Sequence, residues 1–345
     1  MIMKLVGDLH IGKRFPYTTQ KTAEKFNNHR RSLLHTCMAG ARGFQLGDLF
    51  DSYSVQDTVL MEGYQTARKF DRLLAGNHDL AKNTDKPSAL VLLSQELKVP
   101  IVYEDYLTVT EGMTKFYLVP HKLLQEGFEA TLKAALADLQ ATGKSRFNVL
   151  LLHCNYGEHR GPQSDNYLTP KTAKELLDGG FTLIVSGHEH NYRNPMPGVH
   201  MLGSLLPLDF GQMEAKYIAD YDTQTGELSL VPTWHPHSYA KVPAQEFIDE
   251  HSDWGTWQFI EVTGIVDLEG AVKVNRQINH LFKTSDSLVA FKNSVVLHRH
   301  EKETEESEKG NWLKLLLESC ATEEQREALA ALAAKHKPAE IQQEG

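Results

Sequence analysis

The chain is short of cysteine, of net positive charge and of long apolar runs, and each shortage excludes something. Three cysteines in 345 residues, Cys37, Cys154 and Cys320, are too few and too scattered for a disulfide framework. A reducing compartment follows, so a cytoplasmic location is expected. No apolar run reaches the roughly 18 residues of a membrane-spanning helix, so no membrane partner is expected. The opening residues, MIMKLVGDLH, turn polar too quickly to read as a signal peptide. Lys and Arg number 36 against 45 Asp and Glu, a formal net charge of −9. Bulk attraction would not bring a polyanion to such a chain. Metal ions, a local basic patch or a second subunit would have to supply the positive field.

What is present is enough apolar sequence for a core, 41%, and an unusual 17 histidines. The length suits about two domains. Strands are predicted at Met1–Val6, Gly43–Leu46, Asp71–Ala75, Val99–Tyr103, Phe147–Leu152 and Phe181–Val185. Helical patterns lie between them at Thr22–Ala39, Thr58–Phe70, Leu123–Leu139 and Lys171–Leu177. Two hairpins are predicted, Leu107–Val119 turning at Glu111-Gly112 and Tyr217–Val231 turning at Thr223–Gly226. The fold class is therefore α/β, with two mixed sheets packed face to face and helices outside. Residues 1–232 form this domain. Residues 233–300 form a small β-α-β capping unit, opening on a crowd of Trp234, His235, Pro236, His237 and Tyr239. Residues 301–310 read as an acidic linker. Residues 311–345 read as two short helices with apolar stripes at Leu313, Leu316, Leu317, Leu329 and Leu332.

Five motifs stand at the ends of predicted strands: Gly7-Asp8-Leu9-His10, Gly47-Asp48-Leu49-Phe50-Asp51, Gly76-Asn77-His78-Asp79, Leu152-His153-Cys154-Asn155 and Gly187-His188-Glu189-His190. Ligand sites of open α/β sheets gather where strands end. Carboxylate, amide and imidazole donors with almost no thiolate suit Mn²⁺, Fe²⁺ or Zn²⁺ and argue against a structural zinc site. In Asp8-x-His10 and His188-x-His190, extended backbone would turn both donors to one side. A metal pair needs a shared ligand, and Asp48 is the best candidate. Asp8, His10, Asp48 and His190 are assigned to one ion, and Asp48, Asn77, His153 and His188 to the other. His78 is left to protonate a leaving oxygen or hold a phosphate, with Asp79 orienting its ring.

The other polar residues are weighed individually. His35 reads as an ordinary helix histidine, His121 as a residue outside the site rather than a support for a ligand, and His235 and His237 as loop residues. Cys154 reads as packing beside a proposed ligand. Lys13, Arg14, Arg160 and Arg193 follow the motifs on loops and are candidates for phosphate contact.

Together the five motifs resemble those of the calcineurin-like metallophosphoesterase superfamily. The likeness is greatest to its SbcD type, the nuclease subunit of a double-strand-break repair and recombination complex, including phage recombination endonucleases. Gly203-Ser204-Leu205-Leu206-Pro207-Leu208-Asp209-Phe210 also resembles the segment that follows the last metal motif in that type. The resemblance implies a two-sheet metallophosphoesterase sandwich holding two Mn²⁺, with Mg²⁺ or another divalent ion as an alternative. It implies exo- and endonucleolytic hydrolysis of DNA phosphodiester bonds by metal-activated water. It further implies an SMC-like ABC ATPase partner of the SbcC type, docked on the C-terminal helices, and a homodimer within a heterotetramer. For a phage-encoded chain the location would be the host cytoplasm. The rival readings are a metallophosphatase or cyclic-nucleotide phosphodiesterase acting on small substrates, and a non-catalytic scaffold.

Overall fold

The computed structural model describes residues 1–15, 20–80, 88–97, 99–143, 145–157, 165–212, 214–235, 238–249, 258–284 and 289–297. The predicted acidic linker and tail helices lie outside the described residues, as do Arg160 and His237. In chain order the first elements are β1 (Ile2–Val6), α1 (Gln20–Met38), β2 (Arg42–Gln45), α2 (Asp57–Ala67), β3 (Arg72–Leu74), α3 (Ala89–Glu96) and β4 (Ile101–Val102). Next come β5 (Leu107–Glu111), β6 (Thr114–Leu118), α4 (Gln125–Thr142), β7 (Phe147–His153), β8 (Asn155–Tyr156), β9 (Tyr167–Leu168) and α5 (Pro170–Gly179). They are followed by β10 (Leu183–Gly187), β11 (Arg193–Met196), β12 (Val199–Met201), β13 (Lys216–Asp222) and β14 (Leu228–Thr233). The last are β15 (Ser238–Pro243), α6 (Ala244–Asp249), β16 (Gln258–Val266), α7 (Leu268–Thr284) and β17 (Val289–Leu297).

These elements fall into two compact units: the first takes Met1–Phe15 and Ala23–His237, and the second takes the chain from Ser238 together with the residues that open α1. In the first, one sheet has the order β14-β13-β1-β2-β3-β4 and the other β11-β12-β10-β7-β6-β5. Strands β1 to β4 run parallel, and so do β6, β7, β10 and β12. The two predicted hairpins, β5–β6 and β13–β14, are antiparallel, as are the pairs β1–β13 and β11–β12. Strand β7 shows how the layers form. Its Val149 and Leu151 join Met3, Leu5, Phe44, Leu46 and Val185 in the core between the sheets. The alternate residues Leu150 and Leu152 face outward onto Phe128, Leu132, Ala135, Ala173 and Leu176 of α4 and α5. A strand buried on both faces reads as a continuous apolar run, as Val-Leu-Leu-Leu does here. Each such side chain contributes about 1.5–3 kcal/mol of burial free energy. Helix α5 starts where Thr169 accepts a hydrogen bond from the Thr172 N–H at 3.0 Å and Pro170 opens the first turn.

The second unit is a parallel sheet, β15-β16-β17, with Ile260, Val262 and Phe291 packed on Phe247 of α6 and Val274 and Ile278 of α7. It is β-α-β-α-β rather than the predicted β-α-β. The extra strand is β15, paired with β16 from Ser238↔Gln258 to Pro243↔Thr263. Its Ala240 and Val242 pack in the core, but this alternation is hard to see beside the His/Pro-rich crowd that precedes it. Among the described residues no helix is long and apolar enough to cross a membrane.

Candidate metal centre

All seven proposed donors stand at the carboxyl ends of parallel strands in the first unit. Asp8 and His10 follow β1, Asp48 follows β2, and Asn77 follows β3. His153 closes β7, and His188 and His190 follow β10. The folded chain brings them together. Asp8, His10 and His190 form one compact group of donor atoms, and Asp48, His153 and His188 form another. Asp48 Oδ2 lies 3.4 Å from His10 Nε2 and 3.4 Å from His153 Nε2, so one oxygen stands between the groups. Asn77 Oδ1 joins the second group, 3.1 Å from His153 Nε2 and 3.0 Å from His188 Nδ1.

The backbone is bent to reach this arrangement. Among the described residues the only non-glycine positions with positive φ are His10 (45°), Asp48 (53°) and His188 (82°). Each is a proposed ligand, and such conformations cost about 1–3 kcal/mol apiece unless the surroundings hold them. They are held. The Asp48 carbonyl accepts from the N–H groups of Leu9 and His10, both at 3.0 Å. Asp48 Oδ1 accepts from the His78 N–H at 2.9 Å, and Asp8 accepts from the His188 N–H at 3.0 Å. Gly76 is required because the carboxylate of Asp48 passes where a β-carbon would stand, with Oδ1 only 2.1 Å away.

Neighbouring carbonyls orient the imidazoles. His153 Nδ1–H donates to the Leu46 carbonyl at 2.8 Å, which turns Nε2 into the site. His78 Nδ1–H donates to the Asp51 carbonyl at 2.7 Å. His10 Nδ1 is 2.9 Å from Asp51 Oδ1, while its buried Nε2 has no hydrogen-bond partner. Electrostatically the residues of the site are in conflict. Burial, with Asp48 nearby, pushes Asp8 and Asp79 up to about 7. Burial also drives His188 down to about 2 and His190 down to about 3. For His153, burial works downward, but Asp48 and Asp8 outweigh it and raise the ring to about 9. Crowded carboxylates, rings held uncharged at His188 and His190, and an unbonded Nε2 on His10 are the environment a pair of divalent cations would satisfy. The donors therefore fit such ions, and the scarcity of thiolate fits harder ones.

Asp79 does not orient His78. Its fully buried carboxylate accepts from the N–H groups of Gly76 (2.9 Å), Phe50 (3.1 Å) and Leu49 (3.2 Å) and so latches the loop after β2 to the turn after β3. The orienting role falls to Asp51, whose carboxylate meets His10 and, at 3.2 Å, Lys13 Nζ. Sequence reasoning gave Asp51 no role, although it closes the second motif. Arg193 is committed to Glu189 and, at 2.8 Å, to the Tyr156 carbonyl. His121 is buried with its ring 6.2 Å from that of His153. His35 is exposed on α1 beside Lys69, His235 joins neither donor group, and Cys154 is packed in the outer core. A cleft of about 580 Å³ opens beside His188 and His190, bordered by Asn155, Tyr156, Asn191 and Gln212.

The model of the calcineurin-like phosphoesterase family matches residues 3–192. No curated protein matches the chain. Among solved structures, the chain is similar to a novel archaeal phosphodiesterase, at 13% identity and a TM-score of 0.32, over 67% of this chain and 99% of that one. It is also similar to GAP50, the anchor in the inner membrane complex of Plasmodium, at 14% identity and a TM-score of 0.36, over 68% and 89%.

Proposed function

The chain belongs to the calcineurin-like phosphoesterase family, hydrolases that use divalent metals, and from that premise we propose that it is a Mn²⁺-dependent DNA nuclease of the SbcD type. The observation that carries this reading is Asp48 Oδ2, equidistant from His10 and His153 and so able to serve both donor groups. Asp8, His10 and His190 would hold one ion and Asn77, His153 and His188 the other, with Asp48 shared. When bound, two such ions make water acidic enough to attack near neutral pH and spread the charge that builds on the phosphate oxygens.

The chain's own residues supply the rest. The hydrogen bond to the Asp51 carbonyl fixes the ring of His78 beside His10, with centroids 4.8 Å apart. In its charged form His78 has Nε2–H left to hold a phosphate oxygen or protonate the departing one. The cleft beside His188 and His190 gives a strand room to lie. DNA is favoured as substrate by the resemblance of Gly203–Phe210 to the SbcD segment. Here Ser204 ties that segment to the last motif, its N–H donating to the His190 carbonyl at 3.1 Å. The reading extends to an SMC-like ATPase docked through residues 311–345, a homodimer within that complex, and action in the cytoplasm.

The test is Mn²⁺-dependent release of nucleotides from end-labelled linear DNA, run beside nitrophenyl phosphate esters. Faster turnover of DNA is expected. Turnover of the small esters alone would make the chain a metallophosphatase or small-substrate phosphodiesterase instead. Deleting residues 311–345 should abolish ATPase binding and spare cleavage of short oligonucleotides, and retained binding would refute the docking.

A further inference from the structure

Two buried cations reach the main chain of the site. Arg30, on α1, is 2% exposed, and its Nη1 donates to the His10 carbonyl at 3.0 Å. Lys216, the first residue of β13, is 1% exposed, and its Nζ donates to the His190 carbonyl at 2.7 Å. Both carbonyls belong to histidines of the same donor group, the one completed by Asp8. Among the described residues no such cation bonds the main chain of His153 or His188.

Burying a cation costs several kcal/mol unless it is paired. Arg30 is paired, with Glu62 Oε1 at 2.7 Å from Nη2. The hydrogen bonds of Lys216 go to neutral oxygens, the His190 carbonyl and, at 2.7 Å, Asn191 Oδ1. Simple packing would be served better by an apolar side chain, and a lone carbonyl by a neutral donor. His10 is held in a left-handed conformation, so its carbonyl direction and its ring direction are set together. His190 is similarly tied through its carbonyl, to Lys216 and to the N–H and hydroxyl of Ser204.

We propose that Arg30 and Lys216 are positioning residues that grip the main chain of His10 and His190 and so aim both imidazoles at one cation, leaving the Asp48–His153–His188 group independent of them. This rests on the reading of the site as a metal pair. Loss of outer partners of metal-binding histidines typically lowers affinity about 10–100-fold.

The experiment titrates Mn²⁺ alone into the full chain and into Arg30→Met, Lys216→Met and Lys216→Gln, by calorimetry and by electron paramagnetic resonance. The wild type should bind two equivalents with a spin-coupled spectrum. In each Met variant one equivalent should weaken 10–100-fold while the other keeps its affinity, and the coupled spectrum should give way to that of an isolated ion. The retained equivalent shows that the fold is intact. Lys216→Gln, which can still donate to the carbonyl, should restore most of the lost affinity. Two equivalents of native affinity in the Met variants would overturn the inference, and so would equal loss of both. A wild-type chain that binds no Mn²⁺ would overturn the metal-pair reading itself, and this inference with it.

Discussion

Replacing Gly76 by alanine adds one methyl group, and the structure says where it would go. Its β-carbon would stand 2.1 Å from Asp48 Oδ1, 2.4 Å from the Asp48 backbone nitrogen and 2.8 Å from its Cγ. Ordinary contacts between heavy atoms need about 3.5 Å, so something must move by more than 1 Å. Asp48 cannot easily yield, because Oδ1 is bonded to the His78 N–H and its carbonyl to the N–H groups of Leu9 and His10. Overpacking costs about 1–3 kcal/mol, and losing a charge-assisted hydrogen bond about 1.5–3 more. The expected destabilisation is therefore about 2.5–6 kcal/mol, or roughly 10 °C in Tm. Activity should suffer further, since a shift of about 1 Å at a reacting centre can cost about 100-fold. Gly127→Ala is the matched control. That glycine lies in α4, and the nearest atom to its added β-carbon is Lys122 Cβ at 3.9 Å. The same methyl there should stabilise by about 0.5–1 kcal/mol. Thermal melts of both variants, with phosphoester turnover, decide the matter. Native Tm and near-native turnover in Gly76→Ala would show that Asp48 does not occupy the position described.

Three further outcomes follow from the site. His78→Ala should bind both Mn²⁺ equivalents yet hydrolyse DNA about 100–10,000-fold more slowly; an unchanged rate would remove His78 from the chemistry. The metal-free protein should lose stability between pH 7 and 8. His153 is raised to about 9, so its contribution is complete below the ordinary histidine value of 6.5 and disappears as pH rises through 9. The loss over that interval is about 1 kcal/mol. Asp8 and Asp79, raised to about 7, act in the same direction as they lose their last protons. Urea unfolding at the two pH values measures it, His153→Asn should flatten the slope, and stability rising with pH would contradict the sign. Lys13→Gln should weaken DNA binding evenly across sequences and reduce the salt slope by about 1; an unchanged slope would leave Lys13 as a partner of Asp51 alone.

The donors were legible in the sequence for a local reason. Each follows an apolar strand, and all but His153 stand within three residues of a glycine that opens the motif, so strand end, turn and ligand are written side by side. The two-sheet sandwich was legible for the same reason, through alternating apolar runs and two turn-marked hairpins. The supports of the site were not. Arg30 meets His10 across 20 residues and Lys216 meets His190 across 26, through main-chain oxygens that no side-chain pattern announces. Asp79 misled because adjacency to His78 suggested a pair, whereas successive residues in the turn point apart and Asp79 turns inward to three N–H groups. Strand β15 was hidden because its alternation is short and begins directly after a proline-broken stretch.

The two donor groups have a mechanical consequence. Each takes side chains from both layers of the sandwich: Asp8 and His10 from one sheet face His190 from the other, and Asp48 faces His153 and His188. A captured ion would thus rivet one layer to the other. At a hundredfold excess over Kd each rivet adds about 2.7 kcal/mol, so a chelator should loosen the whole first unit as well as silence it.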